Sequence, residues 1–234
     1  MTRTTNARIA GFTFLFYIAV AFPSMILLGR ATSGEGMAAK LASIAQHAAD
    51  VRVAVVLTLL GCFSALVLAV TIYAITRDVD ADLAMMALTC RVAEGVISGV
   101  SLPETLRLLW LATATGANAP DPAAAHALGA YLLTGDIAGT AIFFAVGSTI
   151  YSYLFLRGRS IPVWLAWLGV FASILCVVLL PFQLIGFLKG TVATLMWMPM
   201  LVFEVTLGLW LLIKGVNEQR WKEPSGGAGA SIRT

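Results

Sequence analysis

Six apolar runs, each long enough to cross a bilayer, recur along this chain and are separated by short charged or glycine-containing links. A hydrocarbon core about 30 Å thick needs about twenty helical residues at a rise of 1.5 Å each. Within hydrocarbon every backbone N–H and C=O must be satisfied inside the segment, so runs of this length fold as helices. The runs cover residues 9–28, 51–75, 83–100, 126–156, 162–187 and 191–213. The expected fold is therefore all-α, a polytopic membrane bundle of six transmembrane helices over residues 1–215, followed by a disordered cytoplasmic tail over 216–234.

Composition agrees. Of the 234 residues, 59% are hydrophobic and 12% charged, against about 25% charged in soluble domains. The formal charge of +3 is small and its basic residues are scattered, which argues against nucleic acid. The first run follows Arg3 and Arg8 as a signal peptide would, but it is longer than a usual apolar signal segment and has no clear cleavage site, so it reads as a retained helix.

The links carry their own signals. Residues 30–49 form a polar connector whose second half, 37–49, has the makings of a short amphipathic helix at the interface. Arg77 to Asp82 is a tight charged loop whose last acidic residue can cap the next helix. Ser101-Leu102-Pro103-Glu104 matches a capping box with proline in the first turn, so a new or kinked helix is expected over 102–114. Pro181 and Pro199 predict a kink in the fifth span and a widening of the sixth. With both termini inside, most Lys and Arg residues in the links fall on the inner side. The positive-inside rule thus points to a multi-pass protein of the cell inner or plasma membrane with cytoplasmic termini.

Against this apolar background three ionisable side chains stand out. Arg91 and Glu94 lie three residues apart in the third span, and Glu204 interrupts the sixth. Counting from the inner face, Arg91 and Glu204 both lie roughly 15 Å deep and Glu94 roughly 20 Å. Charges at membrane depth are costly unless they are paired or face an interior cavity. The expectation is an Arg91–Glu94–Glu204 cluster between the third and sixth helices, with Glu204 the chief partner of Arg91. One Arg and two Glu leave an excess negative charge when all are ionised, and low dielectric then favours a proton on one carboxyl. Asp136 counts to the outer interface, roughly 30 Å along the fourth span from its inner end; it is a candidate for the mouth of the same cavity.

Aromatic side chains are candidates for the wall of such a site. Trp197 is seven residues before Glu204 and shares its helical face, and Phe143 and Tyr151 are the other substrate-binding candidates. Tyr17, Phe144, Trp164 and Trp167 are further aromatics within reach of the same layer or of the interface belt. Cys62, Cys90 and Cys176 lie in apolar runs without metal-ligand spacing, and His47 and His126 sit at helix starts, away from mid-membrane. No metal site and no cofactor are expected.

Several stretches are similar to a known family. Arg8-Ile9-Ala10-Gly11, Cys90-Arg91-Val92-Ala93-Glu94 and the run from Phe203-Glu204 through Gly208-Leu209-Trp210 to Lys214-Gly215 resemble a bacterial six-helix membrane family catalogued only as a domain of unknown function. Phe143-Phe144, Gly147-Ser148, Tyr153-Leu154 and Ile161-Pro162 fit the same pattern. The resemblance implies a six-helix bundle and points to Arg91, Glu94 and Glu204 as family features; it implies no activity. Ser101-Leu102-Pro103-Glu104 departs from it, since the resemblance implies a smoother helix there.

Buried carboxylates with aromatic walls suit acid/base chemistry on a lipophilic small molecule within the bilayer. An isoprenoid handled by a terpene-cyclase-like or isomerase reaction fits, by analogy of architecture alone. The catalytic candidates are Glu94, Glu204 and Arg91. A small proton-coupled transporter and a scaffold whose charges only lock helices together are the alternatives, and a homo-oligomer is compatible with each.

Overall fold

The computed structural model describes residues 1–133 and 138–217. Among these the chain is helical throughout, and six of its helices are long and apolar enough to cross a membrane. The spans are α1 (Arg3–Ala31), α3 (Ala48–Thr76), α4 (Ala81–Thr113), most of α6 (Ala138–Arg157), α7 (Val163–Leu184), and the pair α8 (Thr191–Leu195) and α9 (Met198–Ile213). Two shorter helices, α2 (Gly36–Gln46) and α5 (Pro122–Leu133), lie between spans.

The spans pack as a closed ring. Each contacts the next span in chain order, and α9 returns to pack along α1. Close approach at the closing seam depends on glycine. A Cβ on Gly11 would run into the backbone N of Leu212 and come within 2.6 Å of the Gly208 carbonyl oxygen. Gly95 works the same way at the α3–α4 seam, where its ideal Cβ would lie 3.2 Å from the Cys62 carbonyl oxygen. Gly99, about one turn further along α4, faces open space. The interior of the ring is filled by Phe14, Leu68, Tyr151, Phe155, Leu165, Phe203 and Leu207. The outer surface carries Phe12, Val56, Phe63, Trp164, Trp167 and Phe171, all exposed. A water-soluble protein rarely shows so large an apolar surface, whereas a lipid-facing one requires it.

At the face that carries Arg3, the loops are stitched together. Arg3 donates through Nε and Nη2 to the carbonyl oxygen of Ile75, at 3.2 and 2.8 Å. Asp80 caps α4 by accepting from the Leu83 amide and also pairs with Arg157 at 2.8 Å. The amide of Asn217 donates to the Ser160 carbonyl at 2.9 Å, and Val216 packs into the core. These two residues, expected to open the tail, therefore belong to the bundle; residues 218–234 lie outside the described residues. On the opposite face α2, close to the short helix expected there, joins α5 and the ends of α1, α3 and α4 around Leu41, Ile44, Leu108, Leu109 and Leu111.

Three expectations need correction. First, α4 runs unbroken from Ala81 to Thr113 through Pro103, and Ser101 donates back to the Ser98 carbonyl instead of capping a new helix. Proline costs one backbone bond, to Gly99, but the intact turns on either side carry the helix past it. Second, among the described residues the membrane-length part of the fourth run is Thr140–Arg157, in α6, which packs on α4 and α7, whereas α5 packs on α2 and α4. Third, the sixth span breaks at Met196–Trp197, so Pro199 falls in the first turn of α9, where its missing N–H costs nothing.

Candidate functional site

The site grows out of α4. Three residues along a helix advance about 4.5 Å and return to nearly the same face, which brings Arg91 and Glu94 together. Arg91 Nη1 donates to Glu94 Oε2 at 2.8 Å, and the side chains are 1% and 4% exposed. The second carboxylate oxygen of Glu94 accepts from the Tyr17 hydroxyl of α1 at 3.2 Å. Aromatic rings cover the guanidinium: its carbon lies 5.1 Å from the centroid of Phe144 and 5.9 Å from that of Phe14. At those distances the negative ring faces attract the cation.

Glu204 enters from α9, which stands opposite α4 in the ring, separated from it by two helices in either direction. It is 5% exposed, and it lies within electrostatic range of Arg91, Glu94 and Tyr151. The ion pair of Arg91 is nevertheless with Glu94. The expectation that Glu204 is its chief partner, and that the third and sixth spans are adjacent, is thus corrected: equal depth does not make two helices neighbours, while the i, i+3 spacing supplies a partner within one turn. Glu204 Oε1 is buried without a hydrogen-bond partner among the described residues, as are Arg91 Nε and Nη2.

The wall between these groups is aromatic. Tyr151 on α6 is fully buried, stacked with Phe203 at 6.4 Å between centroids and edge-on to Phe14 at 6.3 Å. Its hydroxyl lies near Ser148, one turn earlier, outside strict hydrogen-bond geometry, and both oxygens are buried and unpartnered. Trp197 tilts against Phe144 at 6.0 Å, so it reaches the layer beneath Arg91. Phe143 does not join: it is 41% exposed on the lipid side, while Phe144 is 7% exposed and inside. One residue turns a helix by about 100°, enough to send adjacent phenylalanines in opposite directions. Trp164 and Trp167 also face outward. Asp136 lies outside the described residues.

Phe14, Phe203, Ser148 and Ser152 were not among the expected site residues. A faint signal exists for each, since Phe14 shares a face with Tyr17, Phe203 adjoins Glu204, and Ser148 and Ser152 flank Tyr151 at helical spacing. Among the described residues no three His, Cys, Asp or Glu side chains come together as a metal would require. The chemistry on offer is a fixed ion pair, a separate carboxyl group, two guanidinium nitrogens without partners among the described residues and a phenol, all buried in one apolar core.

The chain matches the family described as "Domain of unknown function (DUF4386)" over residues 9–215, and it belongs to that family. No curated protein and no solved structure matches it.

Proposed function

We propose that this membrane protein is an enzyme that moves a proton on a lipophilic substrate inside the bilayer, with Glu204 as the proton carrier. The single observation behind this reading is the contrast between the two carboxyl groups. Glu94 is held by Arg91 and Tyr17, one on each oxygen. Glu204 is also buried but has an oxygen without a partner among the described residues. With one Arg and two Glu in low dielectric, one proton balances the cluster, and the carboxyl without a cation of its own is where it rests.

The reaction that fits is an isomerisation or cyclisation of an isoprenoid-like chain. Protonation uses the π electrons of a substrate double bond to form a C–H bond, leaving a cation on the neighbouring carbon. The Glu204 carboxylate then removes a proton from an adjacent carbon, and that C–H electron pair becomes the new double bond. The acid is regenerated and no oxidant or reductant is consumed. Phe14, Phe144, Tyr151 and Phe203 present ring faces or edges to the enclosure, and rings of this kind stabilise a cation. Substrate would arrive sideways from lipid between α7 and α9, the least extensive of the six ring contacts.

The test is incubation of the purified protein in nanodiscs with a bacterial lipid extract, compared by mass spectrometry with Glu204→Gln. The expected result is a product present with wild type and lost with the variant. An unchanged product profile overturns acid catalysis by Glu204. A proton-linked carrier would instead leave the lipids unaltered and dissipate an imposed pH gradient in a Glu204-dependent way.

A further inference from the structure

Arg91 is hydrogen-bonded through one of its three nitrogens. Its Nη1 is taken by Glu94, rings of Phe144 and Phe14 flank the guanidinium, and the side chain is 1% exposed. What is left is the side formed by Nε and Nη2, both buried and both without a partner among the described residues. These nitrogens point their N–H groups in one direction, in the fixed fork that captures an acceptor at two points. The protein uses the same fork elsewhere: Arg3 directs Nε and Nη2 together onto one carbonyl oxygen, that of Ile75. Burying such donors unsatisfied is expensive, so a buried guanidinium with two nitrogens in this state calls for an acceptor.

Charge decides which acceptor. The cation of Arg91 is already balanced by Glu94 at 2.8 Å. A carboxylate or phosphate on the remaining side would add a second negative charge to that pair, with Glu204 close by as a third carboxyl group, in a medium that penalises each uncompensated charge. A neutral oxygen acceptor satisfies both N–H groups without that penalty. The Tyr151 hydroxyl and Glu204 Oε1, both unpartnered, supply the neighbouring polar positions, and the flanking rings suit a flat or extended apolar body.

We infer that the Nε/Nη2 side of Arg91 is a binding site for the carbonyl oxygen of a neutral, lipophilic ketone, enone or quinone. This rests on the proposed reading of the site as an enzyme and narrows its substrate class: Arg91 polarises the carbonyl while Glu204 exchanges a proton at a nearby carbon. Binding itself requires only Arg91 and the enclosure.

The experiment uses the full chain in nanodiscs with two neutral probes, a long-chain methyl ketone labelled with a heavy isotope at its carbonyl carbon and an alkyl-substituted naphthoquinone, alongside the carboxylate of the same chain length as the ketone. Infrared difference spectra should show saturable binding of at least one neutral probe, with its carbonyl stretch moved to lower frequency, and weaker binding of the carboxylate. Arg91→Lys keeps the charge but loses the fork; losing one charge-assisted bond should weaken the neutral probe roughly tenfold or more. Failure of both neutral probes to bind, an unshifted carbonyl stretch in wild type, or tighter binding of the carboxylate overturns the inference. If Arg91→Lys does not fold, the wild-type frequency alone decides. Glu204→Gln should still bind the neutral probe. If that variant loses lipid turnover although no carbonyl binds, only the substrate class falls. If carbonyl binding stands while turnover is indifferent to Glu204, only the catalytic reading falls.

Discussion

The Tyr17 hydroxyl on α1 donates to Glu94 on α4 at 3.2 Å, reaching past α3, the helix that lies between them in the ring. It is the tie that fills the second oxygen of Glu94 and so distinguishes that carboxyl from Glu204. Tyr17→Phe keeps the ring and removes only the donor. A hydrogen bond to a charged group contributes about 1.5–3 kcal/mol, so the variant should lose about that much stability, read as a lower midpoint of unfolding in detergent. An unchanged midpoint would show that the tie contributes nothing.

Breaking the Arg91–Glu94 pair from one side leaves a buried charge without its counterion, which typically costs about 3–5 kcal/mol. Arg91→Met and Glu94→Met should each be strongly destabilised. The double variant removes both charges and should recover much of the loss. Additive losses across this double-mutant cycle would contradict a tightly coupled pair.

Ring closure depends on Gly11. Its missing side chain lets α1 lie against the backbone of α9 at Leu212 and Gly208, and backbone atoms cannot rotate aside. Gly11→Ala should force the two helices apart and cost about 1–3 kcal/mol, the usual range for overpacking. Gly99→Ala is the control, since nothing lies within 4 Å of its ideal Cβ; it should be neutral. Equal effects at both positions would rule out the close seam as the cause.

Asp80 lies outside the spans, and its carboxyl is held below the usual carboxylate range, first by the Leu83 amide it caps and then by Arg157. A carboxyl lowered on folding stabilises the fold once pH is above its unfolded value, near 4, and that contribution fades as pH falls through the lower folded value. Asn caps helices as well as Asp does, so Asp80→Asn removes the ion pair and keeps the cap. Wild type should be the more stable of the two at neutral pH, and the gap should close on acidification and in high salt. A gap independent of pH would mean that the charge of Asp80 contributes nothing.

Span number, helical class and the identity of the interior charges were legible because hydrocarbon leaves a chain few options. A run of apolar residues must become a helix, and a lone Arg or Glu within it must turn inward. At Ser101-Leu102-Pro103-Glu104 local capping grammar pointed to a new or kinked helix, whereas α4 runs on through it. Lateral arrangement was not legible. Depth comes from counting residues, but which helix sits beside which depends on side-chain complementarity around each seam, such as Gly11 against Gly208 or Gly147 against Cys90. Phe143 and Phe144 differ only in spacing: Phe144 precedes the buried Ser148 and Ser152 at four-residue steps on one helical face, and Phe143 does not.

The spacing of Arg91 and Glu94 also bears on how this protein enters a membrane. Spans are inserted in order of synthesis, and α4 reaches the bilayer before the segment bearing Glu204 has been made. A charge at the centre of an inserting helix costs about 2.5–3.5 kcal/mol on insertion scales. Because its counterion is only one helical turn away, α4 carries a neutralised pair with it and need not await a later helix. Glu204, by contrast, lies in the last span, made after the helices that carry Arg91, Phe14 and Tyr151.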